Sequence, residues 1–338
     1  MKKNIIALAV VSAFAAPLAM ADAPIIYGQI NMALEQFDVK NANVKNNGES
    51  GTQVNSRNSR IGIKGSEDLG DGLKAIYQLE YTARIDDNAN TLSARNQFVG
   101  LAGGFGTVLM GRHDTPVKMI QGTDLFDDGM STGDNAPMAG GLGLLGDGME
   151  TRLNNAVAYI SPEFAGIKLL AAGSASEQAN ATGSKSEITD MYSLALTYGS
   201  KKQGLYLAVG GEEAASAFAG VGVKAKHARA VVQYAAGGLI ANAMYQKTGG
   251  SALTDYRKGQ NVQANLGYKM GKLMPKVKVS SVDYKNSGLK DATNFGIGLD
   301  YALGKKTTTY IEYVEVNNQN GIPKEDTSAV SVGMIHKF

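Results

Sequence analysis

The chain has no cysteine, only 7 prolines and only 3 histidines among its 338 residues. Without cysteine there is no disulfide framework. An exported chain that uses none must draw its stability from burial and backbone hydrogen bonds. Beyond the first 21 residues, no stretch approaches the roughly 18 consecutive apolar residues of a spanning helix, which excludes helical membrane spans. A basic excess is also lacking. Lys and Arg number 33 against 31 Asp and Glu, and Lys2 and Lys3 sit in the leader, so the remainder is close to neutral. Nucleic-acid binders normally carry a surplus of positive charge, so none is expected as a partner. His113, His227 and His336 fall on separate expected strands with no nucleophile motif beside them, which argues against an enzyme. Gly141–Gly146 spells GxGxxG, but it follows no strand and opens no helix, so it is not read as a dinucleotide loop. Asp124–Gly129 begins like a calcium-binding loop, yet Phe126 stands at a ligand position. No metal or cofactor is expected.

What is present starts with a leader. Met1, Lys2 and Lys3 precede an apolar run from Ile5 to Leu18, and Ala19-Met20-Ala21 closes it as a small-x-small cleavage site. Residues 1–21 therefore read as a signal peptide, and residues 22–338 as the mature domain.

Glycine is abundant, at 42 residues, and Tyr (15) outnumbers Phe (9). Alternation dominates the pattern. Val262, Ala264, Leu266 and Tyr268 alternate with Asn261, Gln263, Asn265 and Gly267. Phe295, Ile297, Leu299 and Tyr301 alternate with Asn294, Gly296, Gly298 and Asp300. Leu73, Ala75, Tyr77, Leu79 and Tyr81 leave Lys74, Ile76, Gln78 and Glu80 on the other face. A period of two means strands with one apolar and one polar face. Two segments are less regular. Lys276–Tyr284 switches parity at Ser280-Ser281, which suggests a bulge. Thr307–Val316 is apolar on both faces and has no orientation from pattern alone.

Tyr198, Tyr234, Tyr268 and Tyr301 each precede a short glycine-containing turn, and they recur about every 34 residues, the sum of two membrane strands, a turn and a loop. On this template the chain holds sixteen strands, from 25–36, 59–66 and 73–85 through to 306–317 and 327–338. Connections alternate short and long, with 39–58 among the long ones. A soluble sandwich would bury the apolar faces against a second sheet. Sixteen polar faces instead line the lumen of a large barrel, and closure pairs every backbone donor and acceptor. The fold class is all-β, a transmembrane antiparallel sixteen-stranded barrel, with the tyrosines as an interfacial girdle.

Several segments carry a family likeness: Tyr27–Asn31, Ser59–Lys74, Phe98–Leu101 with Phe105–Val108 and Gly111-Arg112, Ala158–Gly166, and Val332–Phe338. In this order and spacing the mature chain resembles the Gram-negative general porins, especially the trimeric sixteen-stranded porins of beta-proteobacteria. The resemblance implies a homotrimer in the outer membrane, with outer-membrane lipid and lipopolysaccharide around it. It also implies passive passage of small hydrophilic solutes and ions. Phe338, ending an alternating strand, resembles the signal read by the outer-membrane assembly machinery.

The longest insertion, near 115–150, lies where that family places a loop folded into the barrel to narrow the pore. Loops of this length are usually functional or disordered. This one offers Asp124, Asp127, Asp128 and Asp134 as constriction-loop acids, with Asp147 and Glu150 beyond them. An arginine on the lipid face at mid-depth would cost ~2–4 kcal/mol, so wall cations are expected to face the lumen. By alternation Arg60 and Lys64 share a polar face, Lys74 lies on another, Arg95 shares one with Gln97, and Arg152 with Asn154 and Ala158. The resemblance implies that Arg60, Arg95 and Arg152 form a basic constriction cluster facing the loop acids. Leu109 departs from the family, where another Arg is frequent. The expected channel is weakly anion-preferring or near neutral. A substrate-specific porin would need an aromatic ladder along the lumen, and a plugged surface barrel would show no conductance steps.

Overall fold

The computed structural model describes residues 23–40, 50–86, 92–126, 152–176, 186–214, 225–250, 258–285, 288–318 and 326–338. The expected signal peptide and loop residues 127–150, with Asp127, Asp128 and Asp134, lie outside them. Seventeen strand segments follow one another: β1 Ile25–Lys40, β2 Gly51–Ser56, β3 Arg60–Gly70, β4 Leu73–Ala83, β5 Leu92–Gly103, β6 Gly106–Asp114, β7 Arg152–Ile160, β8 Ile167–Ser174, β9 Met191–Gly199, β10 Gly204–Ala214, β11 Ala225–Ala236, β12 Leu239–Gly249, β13 Gly259–Tyr268, β14 Leu273–Tyr284, β15 Ala292–Ala302, β16 Thr307–Asn317 and β17 Asp326–Lys337. A single helical turn, α1 Pro116–Met119, follows β6.

Successive segments pair antiparallel in one sheet, and β17 returns to pair β1, with Gln29 opposite Lys337 and Lys40 opposite Asp326. Both β2 and β3 pair β1, β2 through Met32–Phe37 and β3 through Ile25–Gln29. They are two lengths of one barrel strand, broken at residues 57–59, where Asn58 takes φ 46°. The result is a closed sixteen-stranded barrel. Part of the segment expected as a long loop, 39–58, is thus strand: β1 runs on to Lys40, and Gly51–Ser56 pairs back onto it. The pattern hid this because Thr52, Gln53 and Asn55 are polar on both faces.

The burial pattern inverts that of a soluble protein. Along β13, Asn261, Gln263 and Asn265 are buried, while Val262 is 53% and Leu266 47% exposed. The same holds around the ring, with Gln29, Asn31, Gln233 and Gln246 inside and Leu194, Leu207, Ile297 and Val332 outside. Apolar side chains turned outward in a closed sheet are stable only against hydrocarbon, where unpaired backbone groups are costly and closure removes them. Tyr198, Tyr234, Tyr268 and Tyr301 also point outward, beside the short turns. Those turns are tight. At the first, Gly70, Asp71 and Gly72 all have positive φ, a conformation that disfavours residues with a Cβ.

The two irregular segments resolve differently from expectation. No register shift interrupts β14 against either neighbour, so there is no bulge at Ser280-Ser281. The parity changes because Val282 and Tyr284 face inward and pack on Ala292. In β16, Ile311 and Tyr313 face lipid, and Tyr310, Glu312, Val314 and Val316 face in.

Candidate functional site

Two inward-facing assemblies of charge line the barrel wall and adjoin at β1 and the β2–β3 break. The first lies on β1 and β3–β7. Glu80 is its centre. Its carboxylate accepts a hydrogen bond from the Tyr27 hydroxyl at 2.9 Å and from Arg95 Nε at 2.6 Å. The charges of Arg60 and Arg95 both act on Tyr27, and those of Arg95 and Glu80 both act on Arg152. Arg60 donates to Asn58 Oδ1 at 3.0 Å and Gln29 Oε1 at 3.2 Å, both neutral. Arg152 Nε lies 3.3 Å from Asp114 Oδ1, and Lys118 lies 3.8 Å from the same carboxylate. Asn96 holds the other Asp114 oxygen at 2.8 Å. Lys64 Nζ stands over the Tyr27 ring at 5.1 Å. The three arginines singled out from the sequence are thus placed along one stretch of wall, on β3, β5 and β7. Lys74 does not join them. It pairs opposite Asp68 near the first turn, six residues and roughly 20 Å along β4 from Glu80.

Two local breaks in alternation shape this wall. A bulge between Leu79 and Tyr81 sets Gln97 opposite Leu79, on the lipid parity, while Arg95 stays inside. The expected Arg95–Gln97 face does not exist. A second break between Gly111 and His113 is met by Asn155 at φ 52°, so Asn154 and Asn155 are both exposed. Alternation counted from Ala158 therefore does not set the direction of Arg152, which opposes Asp114 and turns toward its carboxylate. Leu109 is fully buried among Phe98, Leu153, Ala156 and Ala158, an apolar patch on the inner wall.

The chain after β6 runs inward across the lumen. Thr115 caps α1, its hydroxyl accepting from Lys118 N at 3.1 Å. From there to Phe126 the opposite wall grips the backbone. Val117 N donates to Ser193 Oγ, and Arg229 donates to Val117 O at 2.9 Å. Lys201 donates to Met119 O at 2.8 Å. Gln233 exchanges two bonds with Thr123, and Asn242 donates to Thr123 O. Val117 and Ile120 are fully buried, and Phe126 nearly so.

The second assembly lies where the barrel closes. Arg57, at the break between β2 and β3, bonds Glu35 through Nε at 2.7 Å and through Nη2, Glu312 at 2.7 Å and Ser331 at 2.6 Å. Lys276 lies 2.7 Å from both Glu312 and Asp300, and Lys278 lies 3.1 Å from Asp124. Asp124 therefore does not face the arginine group. Its strand partner β14 lies across the ring from β4–β7, and among the described residues the acids beside the arginines are Glu80 and Asp114, from the wall itself. Phe338 closes the seam at the other end. Its backbone pairs Gly28, and a Cβ at Gly28 would come within 2.5 Å of the Phe338 ring.

A family model described as Gram-negative porin matches residues 7–321. The chain belongs to the Gram-negative porins. Curated relatives of this porin include the major outer membrane protein P.IB of Neisseria meningitidis serogroup B, 30% identical with both chains fully covered. The same-named protein of Neisseria lactamica is 29% identical, again over both whole chains. Among solved structures, an anion-selective porin from Comamonas acidovorans superposes with TM-score 0.76 at 21% identity, covering 94% of this chain and 99% of that one. Salmonella typhi OmpF, in complex with daunomycin, gives TM-score 0.68 at 17% identity, covering 93% and 97%. The porin is a general diffusion channel of the outer membrane.

Reading the sequence missed Tyr27 and Asp114 in the first assembly and Glu35, Arg57, Glu312, Lys276 and Lys278 in the second. Glu80 was legible, since it shares a polar face with Lys74. Arg57 was not, because it sits in a break that no alternation marks.

Proposed function

We propose that this porin is a weakly anion-preferring channel, narrowed by the segment 115–126, whose open passage runs along the Arg60–Arg95–Arg152 wall. One observation carries the reading: residues 115–126 are hydrogen-bonded to the β9–β14 side, which leaves the arginine side facing the lumen. Counted among the described residues of the first wall, Arg60, Lys64, Arg95, Lys118 and Arg152 outnumber Glu80 and Asp114. At the closure seam, Arg57, Lys276 and Lys278 are outweighed slightly by Glu35, Asp124, Asp300 and Glu312. Walls of low dielectric concentrate such a local excess. The Comamonas porin of the same fold is anion-selective by name.

The test is the reversal potential across planar bilayers in a potassium chloride gradient. The wild-type channel gives a small potential of anion-selective sign. The triple substitution of Arg60, Arg95 and Arg152 to Gln moves it toward cations. A wild-type cation preference, or a triple variant indistinguishable from wild type, defeats the reading.

Self-association as a homotrimer is part of the same proposal, supported by the trimer form of Vibrio cholerae OmpT, which has this fold. Outer-leaflet lipopolysaccharide is proposed to surround the trimer. Phe338 is proposed as the residue read by the assembly machinery. Light scattering of the detergent-purified channel at the mass of three chains supports the trimer, and a monomer mass refutes it.

A further inference from the structure

The carbonyl of Leu125 is held by a lysine, not by a neutral amide as at Thr123. Lys276 Nζ donates to Leu125 O at 2.8 Å. The same ammonium lies 2.7 Å from Glu312 Oε1 and 2.7 Å from Asp300 Oδ1. It stands 4.9 Å from the centre of the Phe126 ring and 5.6 Å from that of Tyr310. Two carboxylates and two rings thus aim one cation at one backbone carbonyl. One residue pair along β14, Lys278 holds Asp124. The β9–β12 side chains grip 117–123; β14 supplies the polar grip on 124–126, beside the packing of Leu125 and Phe126 on Val314, Val316 and Ala329. The backbone makes room for this arrangement at Gly298. A Cβ there would stand 2.9 Å from Lys276 Cε and 3.0 Å from Glu312 Cγ.

We propose that Lys276 is the positioning residue that sets the bore of the channel, by fastening residues 124–126 to the closure seam. This rests on the reading of 115–126 as the narrowing segment. Lys276 acts through that segment and touches no solute itself. Removing it leaves Glu312 with Arg57 and leaves Asp300, whose side chain is 16% exposed, in reach of water. The barrel has a route to fold without it.

The experiment measures swelling of liposomes containing purified full-length mature porin, with uncharged saccharides of increasing size. Because the probes carry no charge, a change in wall potential does not move the rate. Lys276→Met raises entry of a trisaccharide relative to a monosaccharide about twofold or more, since a wider constriction gains most for the largest solute. Lys276→Arg, which keeps a cationic donor, restores the wild-type ratio. Gly298→Ala keeps every charge but displaces the Lys276 stem, and it raises the ratio as Lys276→Met does. Folding of each variant is read from its heat-modifiable mobility on gels. A folded Lys276→Met channel with the wild-type saccharide ratio overturns the proposal. So does a folded Gly298→Ala channel with that ratio, should Lys276→Met fail to fold. The arginine reading is judged on reversal potentials alone, so the two can fail separately.

Discussion

The two inner walls use the same side chains to opposite ends. On the closure seam, Arg57 and Lys278 are essentially inaccessible, with side chains 1% and 0% exposed; Glu35 and Glu312 are as deep as Arg57, whereas Asp124 is 15% exposed. On the β3–β7 wall, the Arg95 and Arg152 side chains are 14% and 16% exposed, and Arg60 is satisfied by neutral amides. A buried ion pair consumes its own field in repaying desolvation. A wetted, partly compensated cation keeps some field for passing ions. Cations in this barrel lumen therefore divide into those that close the barrel and those that work on solute, and their accessibility separates them.

The largest effect expected from this difference is on stability. Arg57→Leu leaves Glu35 and Glu312 buried without their shared partner and costs about 3–5 kcal/mol. Arg60→Leu gives up hydrogen bonds to neutral groups and costs roughly 1 kcal/mol. Urea or thermal unfolding of the detergent-purified barrel measures both. Equal losses would erase the distinction between the walls. Next comes the outer face. Val279 is 47% exposed to lipid, one residue from the lumen-facing Lys278. Val279→Arg costs ~2–4 kcal/mol at mid-depth, although its neighbour already carries a charge. A tolerated arginine there would mean that the inner and outer faces of β14 are wrongly assigned.

The barrel was legible because lipid imposes a strict period of two, so Asn261–Tyr268 announces its orientation residue by residue. What the period could not carry was every place where it breaks. The bulge at Leu79/Tyr81 moved Gln97 outside; Asn155, at positive φ, interrupted the alternation between Ala158 and Arg152; the kink at Asn58 hid both β2 and Arg57. Each break is a local choice made by tertiary pairing, and alternation extrapolated across it assigns the wrong face. The arginines were singled out through the resemblance, whereas the wall carboxylates that lie beside them were not. Glu80 and Asp114 lie on the wall, and the resemblance directed attention to the loop.

Ion selectivity sharpens the contrast with a moderate effect. Glu80→Gln frees Arg95 from its partner on the accessible wall and moves the reversal potential further toward anions. Asp124→Asn removes the same charge opposite a fully buried lysine and moves it by less than half as much. Reversal potentials measured under one salt gradient compare the two directly. An Asp124 effect equal to that of Glu80 would place the loop acid in the conducting path.

The smallest expected effect concerns Lys201, in the turn between β9 and β10. Its Nζ donates to Met119 O and stands 5.3 Å from the centre of the Tyr206 ring. Burial, with a contribution from the Arg229 charge, pulls its ammonium down to about 7. In an unfolded chain a lysine titrates near ~10.4. Between these values the unfolded chain holds more protons than the folded one, so stability rises as pH climbs from about 7 to about 10 and is level below. The side chain is half-buried in its turn, and solvent screening keeps the slope shallow. Unfolding midpoints of the purified barrel across that window test the point. Lys201→Met should remove the rise attributable to this group, and an unchanged profile would mean that the turn-side ammonium stays hydrated.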